Sequence, residues 1–122
     1  MKPTPLQVFS GYYLGIGLDF SARFFHLNSL AAHFGIGPGE LRALLEEYRL
    51  DPETVRHVDY NIAKAFATAQ EIAIDGQADD VATFAARAFE DFRQAFGSYD
   101  PKRDFENVDY DALLPGGSRG DP

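Results

Sequence analysis

Apolar residues recur every three to four positions through most of residues 1–97 of this 122-residue chain, the spacing of helices that bury one face. The cleanest stripe comes late. Val81, Phe84, Ala85, Ala88, Phe89, Phe92, Ala95 and Phe96 predict a helix over 78–96. Asp79 and Asp80 fall in its first turn, where the helix dipole favours anions, and Gly97 is its stop. Before it, Asp51-Pro52-Glu53-Thr54 reads as a cap followed by proline at the first helical position. The helix it opens is expected to run to about Ile74, with Val55, Val58, Ile62, Ala65, Phe66, Ala69, Ile72 and Ala73 inward. The connection around Gly76 is short, which predicts an antiparallel hairpin of these two helices, with the second, and its Phe84, Phe89, Phe92 and Phe96, as the stability centre.

Upstream the pattern is more broken. Two prolines in the first five residues predict an extended lead-in over 1–10. From Tyr12 to Leu27 the chain is strongly apolar. Leu14 and Leu18, and then Phe20, Phe24 and Leu27, stand at helical spacing and predict a helix over 11–27, with Asp19 a second candidate start. Gly11, Gly15 and Gly17 mark where a neighbouring backbone comes close. Asn28-Ser29 caps a short helix that ends at Phe34, and Gly35 fits a left-handed C-terminal position. Pro38 opens the next helix, through Leu41, Leu44, Leu45 and Tyr48.

Residues 28–48, from Asn28-Ser29-Leu30-Ala31 through Gly35-Ile36 to Leu41 and Leu44, resemble the helix-turn-helix superfamily. The resemblance places the small Ala31 where two helices cross, Gly35 in the turn and Ile36 as the plug of the corner. It implies a compact helical corner and, in members that bind DNA, a second helix reading base edges. Here that helix offers Arg42, with Arg49 just beyond, and sets Glu40, Glu46 and Glu47 where phosphates would repel them.

Charge weighs on the same side. The net charge is −8: residues 1–96 carry 8 basic and 13 acidic side chains, and residues 97–122 carry 3 and 6. Neither part offers the cationic surface that grips nucleic acid or an anionic membrane. No apolar run approaches the ~20 residues of a membrane span, and the N-terminal residues do not read as a signal peptide. Without cysteine there is no thiolate metal site and no disulfide, and the expected location is the cytoplasm.

Candidate chemistry is thin. His26 and His33 are seven apart and on one continuous helix would share a face able to hold a metal with Asp59 or Glu71, but a helix break at Asn28 separates them. Asp75 to Asp80 lacks the alternating oxygens of a calcium loop. Gly15-x-Gly17 lacks the third glycine of a dinucleotide site. Ser10, Ser21 and Ser29 have no nucleophile-elbow context. What stands out is the 11 Phe and 6 Tyr, more aromatic surface than one small core encloses. After Gly97, Phe105, Val108, Tyr110, Leu113 and Leu114 sit among acidic residues, a composition suited to docking.

The expected fold is all-α: a small bundle of four to five helices with a helix-turn-helix-like corner and a polar C-terminal tail. The expected organisation is a lead-in over 1–10, a helical domain over 11–97 and an acidic Pro/Gly-rich tail over 98–122. The expected function is a non-enzymatic regulatory or adaptor module, without cofactor, acting by protein–protein contact and self-association as a homodimer. Tyr12, Tyr13, Phe20, Phe24, Phe105, Tyr110, Leu113 and Leu114 are the candidate interaction residues. Two alternatives stay open: a helix-turn-helix regulator that binds DNA as a dimer through Arg42 and Arg49, and a helical bundle that binds a small ligand or metal.

Overall fold

The computed structural model describes residues 2–105, and these form an all-α bundle. α1 (Pro5–Phe9) starts inside the segment expected to be extended. The reason is local. Thr4 accepts a hydrogen bond from the Gln7 amide while the Gln7 side chain accepts one from the Thr4 amide, and Pro5 fills the first helical position, where its missing N–H costs nothing. α1 continues into a π-helical turn (Ser10–Leu14), which Gly15 ends in a left-handed conformation, φ 67°. The helix expected over 11–27 therefore stops at Leu14. Residues 15–26 are an irregular loop closed by a single antiparallel bridge between Ile16 and Ala22.

α2 (Leu27–Phe34) is capped by His26 rather than Asn28: its Nδ1 accepts from the Ser29 amide. At its other end Gly35 is left-handed, and the amides of Gly35 and Ile36 donate to the carbonyls of Ala32 and Ala31. Gly37 and Pro38 then open α3 (Pro38–Glu47). α4 is only one turn (Pro52–Val55). The single helix expected from Pro52 to Ile74 is thus broken at 56–61. It restarts as α5 (Ile62–Asp75) because Asn61 caps it, Oδ1 accepting from the Lys64 amide at 2.9 Å. α6 (Ala78–Ala95) matches its expected bounds and ends in a short 3-10 turn.

α5 and α6 form the expected hairpin, and α1 with its π-helical turn packs against both. The π-helical turn also meets α2 at Gly11, where a Cβ would lie 2.6 Å from Leu30 Cδ1. Phe9, Leu14, Leu30, Leu41, Leu50, Val58, Val81 and Phe92 are fully buried. The Phe9 ring lies 5.2 and 5.3 Å from those of Phe89 and Phe92, so the N-terminal segment is built into the core.

The chain after Gly97 begins as a docked strap. The Asp59 amide donates to Ser98 Oγ, the Asp100 amide to the His57 carbonyl and the Phe105 amide to the Arg56 carbonyl. His57 Nδ1 donates to the Arg103 carbonyl at 2.7 Å, and Arg56 pairs with Asp104. The boundary expected at Gly97 therefore does not separate a core from a free tail over the residues to Phe105. No helix among the described residues is long and apolar enough to cross a membrane.

Candidate functional site

The loop over 15–26 is irregular, yet its backbone is thoroughly tied down. Gln70 of α5 donates to the carbonyls of Leu14 and Gly15 at 2.7 and 3.0 Å. The Arg23 amide donates to the Gly15 carbonyl and the Gly17 amide to the Ser21 carbonyl. At the tip the Phe20 amide donates to the Gly17 carbonyl, closing a tight turn that leaves Phe20 at φ 64°. The Leu18 amide donates to His33 Nε2 at 2.9 Å, so that nitrogen is the unprotonated one.

Asp19 organises the tip electrostatically. Its Oδ1 accepts from the Ser21 hydroxyl at 2.6 Å and from the Ser21 amide at 3.2 Å, and Arg23 pairs with its other oxygen. These donors, the Ser21 hydroxyl foremost, hold the Asp19 carboxyl down to about 2 from its ordinary 3.8.

This scaffold displays apolar side chains to water. Among the described residues the exposed large hydrophobics are Phe24 (88%), Ile74 (74%), Phe20 (40%) and Leu18 (36%), and three of the four stand on this loop. The Phe24 ring leans towards Phe66 of α5, 6.3 Å between centroids, and Ile74 lies two turns further along that helix. Between α1, the loop and α6 lies a hollow of about 260 Å³ with Leu6, Ile16, Leu18, Phe20, Ala82 and Ala85 among its walls.

Of the interaction residues expected from sequence, Phe20 and Phe24 come together on this loop. Tyr12 and Tyr13 do not join them. They are half-buried, stacked edge-on at 4.9 Å, and the Tyr13 hydroxyl donates to the Leu50 carbonyl. Burial raises both phenols above their ordinary range. Phe105 ends the docked strap, its ring under the Arg103 guanidinium at 4.5 Å. Tyr110, Leu113 and Leu114 lie outside the described residues. Sequence reasoning weighed His33 only as a metal ligand, and Leu18 and Ile74 only as helix positions, not as parts of an exposed surface. The signal for His33 was absent, because its partner is a backbone amide 15 residues away.

Arg42 and Arg49 line different clefts. Arg49 lies over the rings of Phe96 and Tyr99, and Glu40, Glu46 and Glu47 are exposed beside it or along α3. Among the described residues no three His, Cys, Asp or Glu side chains cluster as metal ligands. His26 caps α2 and His33 holds the loop, so the two imidazoles serve different segments. No protein family, curated protein or solved structure matches this chain.

Proposed function

We propose that this protein is a non-enzymatic interaction module of regulatory or adaptor type, and that the Leu18–Phe24 loop is its recognition face. One observation carries the reading: a loop with nearly every turn hydrogen-bonded presents Leu18, Phe20 and Phe24 to solvent instead of folding them inward. Leaving Phe24 almost wholly in water forgoes about 1.5–3 kcal/mol, and the part-exposed Leu18 and Phe20 forgo a fraction of that. Segments that serve only as connections are mostly polar, whereas this one is tied down by hydrogen bonds and carries three exposed apolar side chains, as docking surfaces do.

The partner favoured here is a second copy of the chain. The loop carries an exposed knob, Phe24, and through Leu18 and Phe20 it walls a separate hollow of about 260 Å³, so two loops related by a twofold axis can present knobs and holes to each other. Ile74 and Phe66 extend the apolar area along α5. Light scattering over a concentration series tests this. A monomer–dimer equilibrium is expected, with Phe24→Ser weakening association at least about tenfold, as loss of a buried aromatic anchor does. A monomer at the highest concentration, or a dimer indifferent to Phe24→Ser, would overturn it.

A further inference from the structure

A second cleft, away from the loop, has a different character. It holds about 470 Å³ between the end of α3 and the last turns of α6. Leu50, Phe89, Phe92 and Phe96 make it apolar, and Arg49 and Arg93 bring two cations to it. Each guanidinium lies on an aromatic face: Arg49 is 5.0 Å from the Phe96 centroid and 5.5 Å from that of Tyr99, and Arg93 is 5.4 Å from that of Phe89. The Phe96 and Tyr99 rings are stacked, 5.7 Å apart and 7° from parallel, so they form a flat base under Arg49.

Three features set these arginines apart from ordinary surface charges. Neither forms an ion pair within the described residues, although the chain carries 19 carboxylates and 11 basic groups. The one carboxylate lining the cleft, Glu47, is paired with Lys2 at 3.3 Å. Arg49 also occupies the left-handed position that closes α3, φ 58°, with the Leu50 amide donating to the Leu45 carbonyl across it. Glycine takes that position without strain, while any other residue costs about 1 kcal/mol or more. An arginine there sets its side chain against the stacked rings. The strap that carries Tyr99 fixes the other half of this base.

We infer that this cleft binds a small anionic amphiphile, an apolar body of roughly phenylalkyl size bearing one carboxylate. The aromatic and aliphatic walls take the body. The two weakly hydrated guanidiniums, each lying over an aromatic ring, offer forked donors that match a carboxylate. The volume lies in the range of small-molecule sites.

The test titrates the intact, isotope-labelled chain with 4-phenylbutyrate and, separately, with its neutral counterpart 4-phenylbutanol, following NMR shifts. Saturable shifts are expected at Arg49, Phe89, Arg93 and Phe96 with the acid, and affinity lower by about tenfold or more with the alcohol. The double variant Arg49→Gln/Arg93→Gln is expected to bind the acid no better than the alcohol, at an unchanged thermal midpoint. Equal affinity for acid and alcohol, an absence of saturable shifts, or shifts confined to other surfaces would overturn the inference. So would binding of an Asp-Phe-containing peptide, but not of phenylbutyrate, at the same residues, which would make the occupant a protein segment. Because the acid–alcohol comparison needs no variant, it decides the matter even where the double variant folds poorly.

Discussion

Phe20 holds a backbone conformation that costs a bulky residue about 1–2 kcal/mol relative to glycine. The chain tolerates that cost because the turn around Phe20 is fixed from several sides, by Gly17, by Ser21 and Asp19, and through Leu18 by His33. Asp19 is the titratable member of this set. Its carboxyl is depressed in the folded loop, so its contribution is fully present above its ordinary 3.8 and fades as pH falls towards about 2. The Ser21 amide resonance should therefore shift with a midpoint near 2, and Asp19→Ala should abolish that transition. A midpoint at the ordinary carboxylate value would mean that the hydrogen bonds to Ser21 and Arg23 are not formed.

Gly15 decides where the first helix ends. It is left-handed, and a Cβ there would sit 2.7 Å from the Arg23 carbonyl oxygen. Gly15→Ala is expected to lower stability by at least ~1–2 kcal/mol, measured by urea unfolding, because strain adds to overlap. An unchanged midpoint would place the loop elsewhere.

This element also shows what the sequence made legible. Leu14, Leu18, Phe20, Phe24 and Leu27 keep helical spacing, so periodicity alone predicts a helix. The three glycines were the contrary signal: Gly15 supplies the left-handed stop and Gly11 the close approach to α2. Asp19 serves a turn, not a helix cap, since its oxygen accepts from Ser21 two residues on. Thr4-Pro5-Leu6-Gln7 is a capping box that the prolines obscured, and Asn61 is a cap hidden inside an apolar run. By contrast the corner around Gly35 and the bounds of α6 were legible, because their stop and start residues act locally.

The strap over 98–105 was not legible, because its partners lie some 40 or more residues away. A chain ending at Phe105 and one ending at Gly97 separate its contribution. The shorter chain is expected to melt several degrees lower, since about 1 kcal/mol moves the midpoint of a domain this size by ~4–8 °C. Equal midpoints would show that the strap adds nothing to the fold.

At the scale of the molecule, the buried core and the exposed apolar loop occupy different regions. The core gathers around Phe92, which is 1% exposed and touches the rings of Phe9, Tyr60 and Phe96. Phe89 is only partly buried at the edge of the Arg49–Arg93 cleft, so on α6, the helix expected to be the stability centre, the best-buried ring is Phe92, one turn later. Phe92→Ala is expected to cost about 3–5 kcal/mol by thermal or denaturant unfolding, enough to leave a small domain largely unfolded on warming. Glu90→Ala on the exposed face should be nearly silent. A well-folded Phe92→Ala protein would contradict this placement of the core.

The loop is expected to show the reverse behaviour, and Phe20→Gly reads it directly. Glycine relieves the left-handed strain and keeps the turn, but removes the displayed ring. Sedimentation equilibrium and thermal unfolding on the same samples should show association weakened at least about tenfold, with a midpoint unchanged or higher. Undiminished association would contradict the claim that the Leu18–Phe24 loop is a recognition face, and so would a fall in the thermal midpoint matching that of a core truncation.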